Sequence, residues 1–293
     1  MATGNKQTGQ KNKPQRSGNK KKVNARTGSK TSAKASSQSR RFWKTLGWVT
    51  AGLFVFSILL YIYNAHKNKD TYFAHYKEFG IDLPANYEIH GIDVSHHQGK
   101  INWPMVKSME SQNVRIGFVF IKATEGYQLV DKSFTDNWFQ AGLLGIPRGA
   151  YHFFIPGKSG ALQAANFIKH VPKEAGTLPP VIDIEQRYKI APAVFRKELQ
   201  EMLDSLEDYY KQRPIIYTYA SFYNDYLEGH FDHYPLWVAH YFELKSPRTH
   251  RDWLFWQHSE QGHVYGIKRL VDFNVFSGDS SDFKQLLRAA DGD

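Results

Sequence analysis

The chain of 293 residues contains no cysteine, which excludes disulfides, a thiolate nucleophile and Cys-ligated zinc. That absence leaves the redox compartment undecided. Acidic residues are missing from positions 1–45, where 13 Lys and Arg stand unopposed. The remainder carries 25 basic against 28 acidic groups, so the net charge of +10 belongs to a tail and not to the domain behind it. The tail also has almost nothing apolar before Phe42-Trp43, and such a segment buries too little surface to offset its ordering entropy. Residues 1–45 therefore read as a disordered, basic, cytoplasmic tail. Without interleaved aromatics it lacks a stacking platform, and no nucleic acid is expected as a partner.

Charge of either sign is missing from Leu46 to Tyr63 (LGWVTAGLFVFSILLYIY). As a helix this run spans about 27 Å, enough for one membrane crossing. Trp43 and Trp48 on one side, and Tyr61 and Tyr63 on the other, suit the two interfaces. No small-residue cleavage site follows, which favours an uncleaved signal anchor over a cleaved signal peptide. The charge asymmetry places the tail in the cytoplasm and everything after Asn64 outside, at the cytoplasmic (inner) membrane.

Residues 64–88 are polar and aromatic and read as a stem, with one short helix around Thr71–Phe79. From Ile89 a rhythm sets in. Strand-like runs at Gly91–Ser95, Gly117–Thr124, Arg148–Phe154, Pro179–Glu185 and Pro214–Tyr219 alternate with helical stretches. The clearest helix is Ala191–Gln212, opened by Pro192 with Phe195, Leu199, Met202, Leu203 and Leu206 on one face. Three further strand-like runs follow, Pro235–Tyr241, Asp252–His258 and Val271–Phe276, with no room for full helices between them. Alternation predicts a parallel sheet with helices outside: an α/β, irregular TIM-like barrel of five strands with crossovers and three without.

Chemistry in such barrels gathers at the C-terminal strand ends. Each predicted strand here finishes in polar or aromatic residues, and four carboxylates stand among them: Asp93, Asp183, Glu185 and Asp272. Asp183 and Glu185 are separated by one residue, so on a strand they face the same way with Cα atoms roughly 7 Å apart. Carboxylates that close disfavour each other's ionisation, which yields one acid and one base near neutral pH. Tyr151, Tyr217, Tyr219, Trp237, Tyr241, Trp256, Gln257 and Asn274 supply rings and amides suited to a sugar. His96-His97 beside Asp93 lacks the further ligands a metal needs, and Lys122 with Glu125 reads as a structural ion pair. His152 is either a sugar contact or a core residue, while alternation turns His240 away from Trp237, Ala239 and Tyr241.

The segments GIDVSHHQG, IKATEG, GAYHFF, the D-x-E strand, the W-x-A-x-Y strand, WQHS and VDFNVF resemble, in order and spacing, glycoside hydrolase family 25, the lysozyme-type muramidases. The resemblance covers Ile89 to Phe283. It implies a (β/α)5β3 barrel that hydrolyses the β-1,4 bond from N-acetylmuramic acid to N-acetylglucosamine in peptidoglycan, without metal or cofactor. It also implies catalytic roles for Asp93, Asp183, Glu185 and Asp272. Asn102 and Lys132 depart from the family pattern, both outside the strand ends. Glu185, longer and nearer the mouth, is expected as the general acid, with Asp183 as an anion behind it. The close spacing predicts retention, by the substrate's acetamido oxygen or by direct attack of Asp183. The alternatives are a non-catalytic, membrane-tethered peptidoglycan-binding module and a glycosidase for another amino-sugar polymer. A monomer is expected.

Overall fold

The computed structural model describes residues 32–67 and 71–288. The chain divides into two units, Met1–Asn68 and Lys69–Asp293. In the first, a single helix runs from Ser32 to Lys67 and contains the apolar stretch Phe42–Tyr61, long enough to cross a membrane. The helix begins well before Leu46, so residues 32–45, expected to be disordered, are helical. Once an apolar segment nucleates a helix, extension through Ala, Ser, Gln and Arg is cheap. The rest of the expected tail, residues 1–31, lies outside the described residues.

The second unit is built on eight strands: β1 (His90–Val94), β2 (Val114–Glu125), β3 (Arg148–Phe153), β4 (Val181–Asp183), β5 (Ile215–Tyr219), β6 (Leu236–Ala239), β7 (Phe255–Gly262) and β8 (Val271–Phe276). Each pairs with the next, and β8 pairs with β1 to close the barrel. Strands β1 to β7 are mutually parallel. The expected all-parallel arrangement fails at β8, which runs antiparallel to both neighbours. Between Gly262 and Val271 there is too little chain for a helical crossover, and a short link joins antiparallel strands.

Helices cover the first part of the barrel: α1 (Trp103–Ser108), α2 (Phe134–Leu143), α3 (Gly160–His170) and α4 (Pro192–Tyr210). A short helical turn, Ala220–Phe222, continued by the π turn Tyr223–Leu227, follows β5. The outer side of β7 and β8 is covered differently. An antiparallel hairpin, Phe73–Tyr76 with Ile81–Pro84, packs Phe73 against Trp256 and Phe79 against Phe273, with ring centroids 5.9 and 5.1 Å apart. A helix was expected around Thr71–Phe79; the left-handed Gly80 instead turns the chain back into a strand pair. The hairpin belongs to the barrel unit, so the stem is shorter than expected.

Inside the barrel, Phe118, Phe120, Trp237, Phe255 and Phe276 form a separate apolar cluster. Gly91 and Gly149 make room for it, since a Cβ on either would come within 2.6 Å of the Phe118 or Phe120 ring. From below, α5 (Ser280–Arg288) inserts Phe283 against Phe118 and Phe276. This aromatic floor leaves the opposite end for polar residues.

Candidate active site

Asp93 lies on β1, Asp183 ends β4, Glu185 follows two residues later and Asp272 is the second residue of β8. Because β8 is antiparallel, Asp272 sits where its strand begins, and its Cα pairs in register with that of Asp93. The sequence reading placed Asp272 at a strand end reached from below; the strand instead enters from the mouth. Both routes bring the acid to the same rim.

Asp93 is held by a directional network. Its Oδ2 accepts hydrogen bonds from Gln257 Nε2 and Asn274 Nδ2, both at 2.8 Å. The indole Nε1–H of Trp237 donates to Asn274 Oδ1 at 2.8 Å, and an indole can only donate, so it fixes which end of the amide faces Asp93. Tyr217 and Tyr241 hydroxyls donate to Gln257 Oε1 at 2.7 and 2.6 Å and orient the second amide. Asp183 is as buried as Asp93, yet its Oδ1 has no hydrogen-bond partner among the described residues. Glu185 is half-buried and hydrogen-bonded to Tyr219.

Burial dominates the electrostatics of all four acids. It lifts Asp183 well above the usual carboxylate range, and the neighbouring Glu185 charge lifts it further while Lys122 opposes. Burial also raises Glu185, with Tyr219 and Lys122 pulling the other way. Asp93 is raised to about 6 by burial, despite the two amide donors. Asp272 is raised to about 8 by burial and then by the charges of Asp93 and Glu260. Burial and mutual charge thus favour a single proton on the Asp183–Glu185 pair in the free site.

The predicted sugar contacts separate by depth. Tyr151 and Tyr241 are half-buried and Tyr219 is exposed, so these three rings reach the opening. Tyr217, Trp237, Gln257 and Asn274, expected to touch substrate, are buried beneath it and position Asp93 instead. Trp256 is on the other face. It is fully buried against Phe73, Tyr87 and Trp253, and donates Nε1–H to the carbonyl of His240. Neighbouring residues of one strand face opposite ways, so Gln257 inside requires Trp256 outside. His152 is a core residue bonded to Thr124 and Gln163. His96 pairs with the buried Asp131 at 2.7 Å. Among the described residues no group of three or more His, Asp or Glu is placed to hold a metal ion.

Lys122 is the residue that sequence reasoning undervalued. It pairs with Glu125 at 2.7 Å, as expected, but it also lowers the pKa of Asp183 and Glu185. Its parity with Phe118 and Phe120, four and two positions earlier, marks it as an interior residue.

The family model for glycosyl hydrolases family 25 matches residues 92–267, which hold three of the four acids (Asp272 lies just beyond) and most of the barrel. The uncharacterized protein YegX of Escherichia coli strain K12 is 45% identical over 202 residues, covering 69% of this chain and 74% of that protein. Lysozyme M1 of Streptomyces globisporus is 36% identical over 208 residues, covering 66% of this chain and 69% of its own. The solved structure of a family 25 glycosyl hydrolase from Bacillus anthracis superposes with a TM-score of 0.63 at 36% identity, over 68% of this chain and 93% of that one. A closed eight-stranded barrel with buried acids at its mouth and these likenesses along the same residues have one consequence: this chain belongs to glycosyl hydrolase family 25 and is a glycoside hydrolase.

Proposed function

We propose that the chain is a muramidase that cleaves peptidoglycan between N-acetylmuramic acid and N-acetylglucosamine, with retention and with Glu185 as general acid. The observation that carries this reading is that Glu185, half-buried two residues past a buried carboxyl whose Oδ1 has no partner among the described residues, interacts with it electrostatically. Relatives named as lysozymes support the choice of substrate.

Asp183 and Glu185 share a proton near neutral pH, because burial and mutual charge disfavour two anions. A glycan over the mouth removes Glu185 from water as well and raises its proton affinity. The proton passes from Glu185 to the glycosidic oxygen as the C1–O bond breaks. The substrate's acetamido oxygen attacks C1, and Asp183, now anionic, orients the acetamido N–H. Water then opens the cyclic intermediate, with Glu185 taking its proton. Asp93, locked by two amides, and Asp272 beside it hold the sugar and tune the pair.

Mass spectrometry of digested peptidoglycan tests this directly. New reducing ends should all be N-acetylmuramic acid; new N-acetylglucosamine ends refute the reading. Binding without cleavage supports the tethered binding module instead. The apolar stretch Phe42–Tyr61, following the basic tail, is read as a single membrane anchor with the barrel outside the cytoplasm. Protease added to spheroplasts should then degrade the barrel and spare the tail. A mature N-terminus near Asn64 would identify a signal peptide.

A further inference from the structure

Two buried imidazoles lie far from the mouth, on the outer side of the barrel. His90 opens β1 and His258 lies on β7, on the same face as Trp256. Above them is the root of the hairpin Phe73–Pro84. Phe73, its first residue, holds its ring 6.4 Å from that of His258, and Trp256 closes the pocket at 5.8 Å. Tyr87, three residues after its last, receives a hydrogen bond from His90 Nε2 on its carbonyl at 3.0 Å. A carbonyl only accepts, so His90 carries its hydrogen on Nε2 and Nδ1 is the basic nitrogen.

A proton is unwelcome here. Neither His90 Nδ1 nor either ring nitrogen of His258 has a partner among the described residues. Burial holds His90 down to about 4 and His258 well below its usual value, and a charge on His90 lowers His258 further. The carboxylates of the surrounding elements are engaged elsewhere. Asp82 pairs with His75 at 2.8 Å on the exposed side of the hairpin, Glu78 accepts from Ser111, and Glu88 accepts from Ser280 at 3.1 Å. Asp93 and Asp272 face the barrel interior, and Glu260 acts on Asp272. Lys77, Asp252 and His263 are exposed, and Tyr76 and Tyr87 offer only phenols. Further polar ties hold the hairpin: the Gln112 side chain donates to the His75 carbonyl at 3.1 Å, and the His263 N–H to the Phe79 carbonyl at 2.8 Å. A two-stranded hairpin off its support is marginal at best.

We propose that the hairpin is an acid-released clasp: it stays docked while His90 and His258 are uncharged, and lifts from the barrel with residues 85–89 when they take up protons. Docked, the two rings bind fewer protons than they do in water, so release is favoured as pH falls from about 6.5 toward 4. Between pH 7 and pH 5 the gain is about 20-fold for each ring, or about 400-fold for both. Release turns the hairpin into linker. Residues 68–72 reach at most about 17 Å and residues 68–89 about 75 Å, so acid lengthens the tether of the barrel. That gain in reach rests on the membrane-anchor reading; the release does not.

Hydrogen–deuterium exchange of the full chain in detergent micelles, corrected for intrinsic rates, tests the clasp at pH 7 and pH 5. Protection in residues 72–85 should drop about 400-fold at pH 5, and that in β4 and β5 far less. His258→Phe fills the same apolar space without a titratable nitrogen, and His90→Gln keeps an N–H for the Tyr87 carbonyl. Each should reduce the drop to about 20-fold, and the double variant should remove it. If the double variant does not fold, the two single variants decide. Unchanged hairpin protection at pH 5, an equal loss in the hairpin and in β4 and β5, or the full loss in both single variants overturns the inference. A mature N-terminus near Asn64 would remove the gain in reach and leave the exchange result standing.

Discussion

Two carboxylates at the same mouth, Asp93 and Asp183, are equally buried, at 7% and 6% exposure, and behave differently. Asp93 receives two amide hydrogens from donors that are themselves fixed by Trp237, Tyr217 and Tyr241. Its pKa is accordingly raised only to about 6. Asp183 has a buried oxygen with no partner among the described residues, and burial and then the Glu185 charge raise it well above the usual carboxylate range. Equal burial with unequal hydrogen bonding sets the two acids apart, one fixed by two amides and the other with an oxygen left open. The fold builds the first on β1, β7 and β8 and the second on β4, across the barrel.

The strongest way to break this contrast is to disable the reacting side. Glu185→Gln keeps the shape and removes the donatable proton, and turnover should fall by about 10²–10⁴ with glycan binding largely kept. Asp183→Asn should also cripple turnover. A substrate whose leaving group needs no proton should rescue Glu185→Gln and leave Asp183→Asn inactive. The reverse pattern would exchange the two roles.

Disturbing the positioning side should have a smaller effect of another kind. Asn274→Leu leaves the Trp237 N–H and one side of Asp93 unpaired, at a stability loss of about 1–3 kcal/mol by denaturant titration. Losing a donor to the charged form raises the Asp93 pKa further, so any activity limb that reports Asp93 should move to higher pH. A limb that stays in place argues that Asp93 does not govern it.

The two sides were not equally legible in the sequence. Asp183 and Glu185 announce themselves by spacing alone, because alternation along one strand fixes their common direction. The support of Asp93 comes from β7 and β8, and depth inside a barrel is a property of closure. Nothing local distinguishes Tyr219 at the rim from Tyr217 one layer below, although both share a face. Trp256 differs for another reason: its strand-end position suggests the cleft, while its parity opposite to Gln257 turns it to the outer face. The direction of β8 and the hairpin that covers it depend on which outer surface lacks a helix, and that is decided only once five crossovers are in place. Lys122 is readable as an interior residue by parity, although Glu125 three positions on offers the nearer partner in sequence.

The smallest predicted effect concerns Asp272, where the barrel's own stability reports the strain of gathering these acids. The folded protein keeps the Asp272 proton up to about pH 8, through burial, Asp93 and Glu260, whereas an unfolded chain releases it near pH 4. Between those limits the native state binds more protons, so stability falls as pH rises. Buried His90 and His152, held down to about 4, give the opposite slope, as does His258. Their unfolded forms stop taking up protons above about pH 6.5, which leaves the acids alone from there to pH 8. Melting temperature should decline across that window, by about 2–4 °C for each kcal/mol lost in a chain of this size. Asp272→Asn is neutral at every pH and should melt close to the unaltered protein at pH 6.5, then decline less toward pH 8. Some slope should persist, because Asp183 remains. Identical declines in the two proteins would mean that Asp272 ionises as an ordinary surface acid, and that the strain at this mouth belongs to the strand-4 pair alone.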